Sequence, residues 1–379
     1  MKSLGVYIHI PFCVQKCVYC DFLSSPATKD RQKEYMTALK REIETEAQKY
    51  KEFQVNTIFF GGGTPSILAA GDIKECMDIL KSNYNISQNA EITMEMNPGT
   101  ATNDKFIELK NAGINRLSIG LQSANNDELK LLGRIHTYEE FLQTYTNARN
   151  AGFENINIDL MSALPGQSCE DWIDNVQKVL ALKPEHISAY SLIVEEGTPL
   201  YDNLDSYPQL PSEEEDREMY QETKKILALN GYERYEVSNY AKKGFECKHN
   251  IVYWQRDNYV GFGLGAASMV ENMRWSNTSD MKKYLEYNND NGDSSIKEDV
   301  HKLSKEECME EFMFLGLRMT KGVRKKAFFE LFGNTIEEIY GNVINKWEMQ
   351  EMLVQNKEYV FFTDKGIDVS NVILADFLF

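Results

Sequence analysis

The sequence is short of positive charge. Forty-one Lys and Arg stand against 58 Asp and Glu over 379 residues, a formal net charge of −17. Nucleic acid and anionic lipid are bound through basic surface, so neither is expected as a partner. Long apolar runs are missing too: no stretch reaches the roughly eighteen uninterrupted apolar residues of a membrane-spanning helix. The opening MKSLGVYIHIPFC lacks the charged start, apolar middle and small-residue cleavage site of a secretory signal. A soluble, cytoplasmic protein is expected, with membrane contact only through a partner. A disulfide framework is also excluded, because seven cysteines are an odd set in a long chain. Cys76, Cys169, Cys247 and Cys308 are scattered and read as buried small hydrophobes. Cys13, Cys17 and Cys20 are clustered and read as metal ligands in a reducing compartment.

What is present is an alternation. Short apolar runs, LGVYIHI (Leu4 to Ile10), VNTIFF (Val55 to Phe60), AEITMEM (Ala90 to Met96), INRLSIGL (Ile114 to Leu121), NINIDLM (Asn155 to Met161) and HISAYSLIV (His186 to Val194), are each followed by residues at helical spacing. Tyr35, Leu39 and Ile43 recur at i, i+4 and i+8, TYEE at Thr137 to Glu140 reads as a capping box, and NAG closes two helices at Gly113 and Gly152. Six strands alternating with helices predict an α/β fold with parallel pairing, either barrel-like or an open sheet. Polar or glycine-rich residues fall at the strand ends, as they do around the mouth of an α/β barrel. Ser212 and Glu215 predict a capped helix to Leu229. YNNDNGDSSIKED has linker composition, so the expected domains are 1–285, a linker at 286–303, and a small α+β unit of winged-helix type at 304–379. That unit is expected to hold helices at 304–317, 324–332 and 336–349 and a strand pair, YVFF with NVILADFLF. An acidic chain favours internal packing over DNA binding for it.

Three thiols are one short of a structural zinc site, which His9 or Cys247 would complete. The alternative is a 4Fe-4S cluster, in which three thiolates leave one iron open to a small exchangeable molecule. The motif CxxxCxxC in YIHIPFCVQKCVYC, followed in order by FFGGGTPS, EMNPGT, RLSIGLQS, NIDLMSALPGQ and GFGLGAAS, resembles the radical S-adenosylmethionine superfamily in its coproporphyrinogen-dehydrogenase-like branch. The resemblance runs from about Val6 into the C-terminal unit and implies a partial (β/α)6 barrel.

Position by position, it implies that Cys13, Cys17 and Cys20 hold the cluster and that S-adenosylmethionine occupies the open iron. It also implies cofactor contacts from Tyr7 and Tyr19, from Gly62, Gly63 and Thr64, from Glu95 and Gln122, from Arg134 and Asp159, and from Leu192 and Ala267. A low-potential cluster would inject an electron into the sulfonium and generate a deoxyadenosyl radical, the protein supplying orientation and shielding. Arg134 and the acidic pair complement the charged ends of the cofactor, and Gly61 to Gly63 are expected to let backbone approach it.

Oxygen-independent coproporphyrinogen dehydrogenases continue the motif to CxxxCxxCxC and carry a segment ahead of it. Here Phe22 stands at the last cysteine and six residues precede Tyr7. Both departures turn the expectation from that enzyme, which performs two oxidative decarboxylations, toward the haem chaperones of the same branch. HNIVYW, His249 to Trp254, resembles their HNxxYW motif. His249 would be an axial ligand beside Asn250, with Tyr253 and Trp254 as flat faces for a porphyrin and Cys247 as an alternative thiolate. The structural alternative is a turn at His249 and Asn250 with the aromatics in a core. The expected function is binding haem and passing it to an acceptor protein, a respiratory cytochrome being one candidate, as a monomer or homodimer. Transient binding suits a shallow site. The dehydrogenase and a zinc-stabilised binding module are the competing readings.

Overall fold

The computed structural model describes residues 1–287 and 296–379. Each of the six apolar runs is a strand: β1 (Lys2–Ile10), β2 (Phe53–Gly62), β3 (Ile86–Met96), β4 (Arg116–Gln122), β5 (Ile156–Ser162) and β6 (His186–Ser191). They lie side by side in sequence order and pair in parallel, the topology expected for a (β/α)6 unit. Alternation along each strand sorts the side chains. Leu4, Val6, Ile8 and Ile10 join Tyr35, Leu39, Ile43, Ile73, Met77 and Leu80 in one large apolar core. Those partners come from α1 (Lys29–Glu46) and α2 (Ala70–Asn83), two of the crossover helices that cover the outer face, followed by α3 (Asn103–Ala112), α4 (Asn126–Leu131), α5 (Tyr138–Asn150) and α6 (Cys169–Ala181).

The helix signals hold locally. Thr137 with Glu140 forms a capping box at α5, and Gly113 ends α3 in the left-handed region at φ 113°. After the short α7 (Pro199–Asp202), Ser212 with Glu215 caps α8 (Glu213–Leu229).

The inner face is polar. Register places Thr57 opposite Glu91, Thr93 opposite Arg116, Ser118 opposite Asn157, and Asn157 opposite His186. The sheet continues past both ends of the six-strand unit. Beyond β6 come β7 (Glu233–Arg234) and β8 (Asn239–Ala241). A helix, α9 (Lys248–Trp254), then leads to β9 (Tyr259–Phe262), which is parallel to β1, and to antiparallel β10 (Ala267–Val270), β11 (Met273–Asn277) and β12 (Lys297–Lys302).

Of the span expected as a linker, 288–295 lie outside the described residues. Lys297–Lys302 are strand β12, paired to β11 from Met273 to Asn277. This strand escaped the sequence reading because its exposed charged residues show no apolar alternation.

The C-terminal unit has the expected helices at Lys305–Gly316, Lys325–Phe332 and Ile336–Glu348. Its sheet differs from expectation. Tyr359–Phe362 pairs with Leu353–Gln355 and Val323–Arg324, whereas NVILADFLF starts inside the helix Ser370–Ala375. Ile373, Leu374 and Phe377 bury at helical intervals in a separate core. This unit docks on the barrel through an ion-pair cluster: the buried side chain of Glu311 meets the buried side chain of Arg256 at 2.9 Å and half-exposed Arg274 at 2.8 Å. Among the described residues, no helix is long and apolar enough to cross a membrane.

One buried carboxylate ties α1 to the sheet extension. Glu42 accepts hydrogen bonds from Gly263 N at 2.9 Å, Asn277 Nδ2 at 2.6 Å and Tyr284 Oη at 2.5 Å. Burial outweighs these donors and pushes its pKa from 4.5 up to about 7. The native state therefore holds a proton that the unfolded chain releases. Its contribution to stability is complete below pH 4.5 and is lost as pH rises to 7. Glu42→Gln is expected to shrink the fall in stability between pH 5 and pH 8 by about 3 kcal/mol, read from urea denaturation at the two values.

Candidate functional site at the barrel mouth

The loop after β1 carries the three clustered thiols. Cys13 N donates to Ser25 O at 3.2 Å, Cys20 N to Cys17 O at 3.2 Å and Val18 N to Leu132 O at 3.3 Å, so backbone bonds shape the loop. All seven cysteines are free thiols. Burial raises the pKa of Cys13 and Cys20. Among the described residues, no three His, Cys, Asp or Glu side chains gather at the spacing of a single metal ion. A cubane instead takes one thiolate per iron, which suits three thiols spread along an open loop. His9 does not turn toward them: its ring bonds Leu23 O at 2.9 Å and Tyr7 Oη at 3.2 Å. Cys247 is buried at the opposite end of the inner face.

The glycine loop after β2 is sewn to the root of the cysteine loop. Gly63 N donates to Ile10 O at 2.8 Å and Thr64 N to Phe12 O at 2.7 Å. Gly62 has φ 109°, and a Cβ there would lie 2.4 Å from the His9 ring. A Cβ on Gly63 would lie 2.5 Å from Phe12 O. These glycines are thus required for packing the two loops together, where the sequence suggested room for a cofactor.

Other expected contacts converge on the same mouth. Gly62 N donates to Glu95 Oε2 at 3.1 Å. Burial, reinforced by the charge of Asp159, pushes the Glu95 pKa up to about 7. Asp159 accepts from Asn157 Nδ2 at 2.7 Å and Ser118 Oγ at 3.2 Å, and burial raises its pKa as well. Tyr7 stacks on Phe59 with centroids 6.2 Å apart. Gln122 ends β4 in the left-handed region at φ 73°, an uncommon backbone for a non-glycine residue and one seen where function fixes a side chain.

Arg134 donates through NH2 to Gly120 O at 2.6 Å and Asn97 Oδ1 at 2.8 Å, and through NH1 to Cys17 Sγ at 3.5 Å. Tyr19 lies half-buried beside it, and loss of solvent raises its pKa against the pull of that guanidinium. Leu192 follows β6, with its N–H on Ser162 O at 2.9 Å. Ala267 stands apart, exposed at the head of β10 and paired with Ser276 of β11. Phe22, where the dehydrogenase pattern has its last cysteine, is 65% exposed. The sequence reading did not single out Asn97. It lay within the quoted EMNPGT, but its role as an anchor for Arg134 depends on a contact 37 residues away.

The thiols, the paired carboxylates and the guanidinium fit a 4Fe-4S cluster with S-adenosylmethionine. Soft thiolates take iron, and the cation and anions suit the carboxylate and the cationic parts of the cofactor.

The HNIVYW segment departs from the expectation of a shallow haem face. It is α9, and α9 plugs the inner face of the barrel below the mouth. His249 is 1% exposed. Its Nδ1 shares a hydrogen bond with Thr57 Oγ1 at 2.8 Å and its Nε2 one with Tyr253 Oη at 2.9 Å, so both ring nitrogens are engaged. Phe59 stacks on it at 5.1 Å. Burial, with Arg116 nearby, drives the His249 pKa down to about 3 and keeps the imidazole neutral. Glu91 receives the N–H groups of Lys248 and His249, each at 3.1 Å, and the Cys247 thiol at 3.6 Å. Burial pushes that thiol up to about 12, which disfavours the axial thiolate considered for it. Tyr235 Oη continues the plug, bonding Cys247 N at 3.2 Å and His186 Nε2 at 2.9 Å. Bonds from β2 and β3, and from β6 through Tyr235, thus converge on one short helix. Asn250 is half-buried, and Trp254 faces the C-terminal unit, where Arg318 lies 5.6 Å over its ring.

Residues 7–179 match the model of the Radical SAM superfamily, and residues 303–369 match the HemN C-terminal domain. The chain is 37% identical to a protein named heme chaperone HemW from Bacillus subtilis, over 100% of this chain and 99% of that protein. It is 34% identical to the heme chaperone HemW of Haemophilus influenzae, over 100% and 98%. Its fold superimposes on that of coproporphyrinogen III oxidase (HemN) from Escherichia coli, described as a radical SAM enzyme, with a TM-score of 0.85, 23% identity, and coverage of 99% of this chain and 90% of that one.

Proposed function

This chain belongs to the HemW family of the radical SAM superfamily, and from that premise we propose that it is a haem chaperone that takes up haem and hands it to an acceptor protein. In this reading Cys13, Cys17 and Cys20 hold a 4Fe-4S cluster, and S-adenosylmethionine lies among Arg134, Glu95 and Asp159. A bound cluster of this kind supplies low-potential electrons. The chain's own residues orient the cofactor, and the buried carboxylates limit how much charge the site holds below pH 7. The observation that carries the reading is the mouth itself: three thiols on one loop, with no cysteine at Phe22, facing a clamped guanidinium. Haem uptake is assigned to the protein and not to the His249 imidazole in this conformation, because both its nitrogens are committed within the plug. We place the protein in the cytoplasm, with any membrane contact made through the acceptor.

Anaerobic reconstitution followed by two parallel assays on the same sample tests this. The expected result is stoichiometric haem uptake by absorbance and no protoporphyrinogen from coproporphyrinogen with S-adenosylmethionine. Absence of stoichiometric haem would sink the chaperone reading, and protoporphyrinogen at catalytic turnover would replace it with the dehydrogenase.

A further inference from the structure

Arg134 is placed by more than its own side chain. The segment before it is clasped to the cysteine loop, with Val18 N donating to Leu132 O at 3.3 Å and Gln15 Nε2 to Gly133 O at 3.3 Å. Gly133 turns the chain at φ 70° to deliver Arg134. Its guanidinium is then held from one side by Gly120 O and Asn97 Oδ1, and Asn97 is itself fixed by donating to Thr64 Oγ1 at 2.9 Å. With NH2 anchored twice, the planar fork aims NH1 at Cys17 Sγ, 3.5 Å away. A cofactor carboxylate would not require a guanidinium pointed at a cysteine sulfur.

We propose that Arg134 tunes the cluster directly: its guanidinium donates a charge-assisted hydrogen bond to the Cys17 thiolate and raises the cluster's midpoint potential, whether or not S-adenosylmethionine is bound. One-electron reduction adds negative charge that spreads over the iron and its sulfurs. A hydrogen bond to a ligand sulfur and a fixed cation beside it both stabilise that reduced state. The guanidinium stays charged at every working pH. A cluster tuned this way gives up its electron less readily. The inference rests on the cluster part of the proposed function and is independent of haem.

The test is a redox titration followed by electron paramagnetic resonance, on protein reconstituted without S-adenosylmethionine and without haem. At the parent's midpoint potential, Arg134→Met is expected to lower the ratio of reduced to oxidised cluster about tenfold, equivalent to about 59 mV for one electron. Arg134→Gln should fall between Arg134→Met and parent, and Arg134→Lys should lie closest to parent. Should the Arg134 variants fail to take up the cluster, Asn97→Ala retains the charge, frees one anchor and is expected to shift the potential the same way by less. Unchanged potentials in variants with full iron and sulfide overturn the proposal and leave Arg134 as a cofactor contact alone. Iron and sulfide missing from the parent itself would instead overturn the cluster reading.

Discussion

Serine in place of Cys13, Cys17 or Cys20 is expected to give a folded chain that retains less than about one iron after anaerobic reconstitution, since in the proposed cluster each thiolate would bind its own iron. The loop does not depend on its sulfurs for shape. Its bonds to Ser25 and Leu132, and the turn from Cys17 to Cys20, all run through the backbone. Cys17 and Cys20 are also only half-buried, so replacing sulfur with oxygen removes little packing. Far-ultraviolet circular dichroism and the thermal midpoint of apo Cys17→Ser and Cys20→Ser should therefore match parent while iron and sulfide collapse; Cys13 is buried, so its variant is read by iron and sulfide alone. Cys76 supplies the opposite control. It is fully buried in the main core, and burial pushes its pKa up to about 12, so Cys76→Ser should keep the iron and lose stability. Parent-level iron and sulfide in any of the three loop variants, or their loss in Cys247→Ser, would move the cluster away from this loop.

The six-strand unit was legible because it obeys a period of two. Leu4, Val6, Ile8 and Ile10 face the helices while Tyr7 and His9 face inward, and the same alternation marks β2 and β3. The mouth was legible for a related reason, since polar residues at the ends of parallel strands must converge. What escaped depends on contacts distant in sequence. NVILADFLF is apolar enough for either a strand or a helix, and only the core it meets selects the helix. The HNIVYW segment invited a reading by its chemistry, an imidazole beside aromatics. Nothing in the segment itself reveals that Glu91, 158 residues earlier, would accept its N-terminal N–H groups. Arg116 was missed as well. It is 2% exposed on the inner face, and its neighbours Glu91, Asp159 and Cys247 come from three other segments.

Glu91→Ala is expected to lower the stability of the full chain by about 3–5 kcal/mol, because it removes one partner from a buried charged network and strands the rest. Three donors at the start of α9 would lose their acceptor, and Arg116 would lose a nearby opposite charge. Glu91→Gln keeps one acceptor oxygen and should cost less, about 1.5–3 kcal/mol, the scale of one hydrogen bond to a charged group. Denaturant unfolding of both variants measures this, and parent-like stability in Glu91→Ala would show that α9 does not depend on the carboxylate. The same variants separate two roles for His249. If the imidazole is part of a plug, His249→Gln and Glu91→Gln should both lose stability, and each should still take up haem wherever circular dichroism shows it folded. If the imidazole is instead an axial ligand reached by release of α9, the two variants diverge. Glu91→Gln, with its helix loosened and its imidazole intact, would then bind haem at least as fast as parent, while folded His249→Gln would bind none. Because His249 gives both its nitrogens to Thr57 and Tyr253 at hydrogen-bond distance, the plug predicts agreement between the two, and haem titration of the folded fractions decides it.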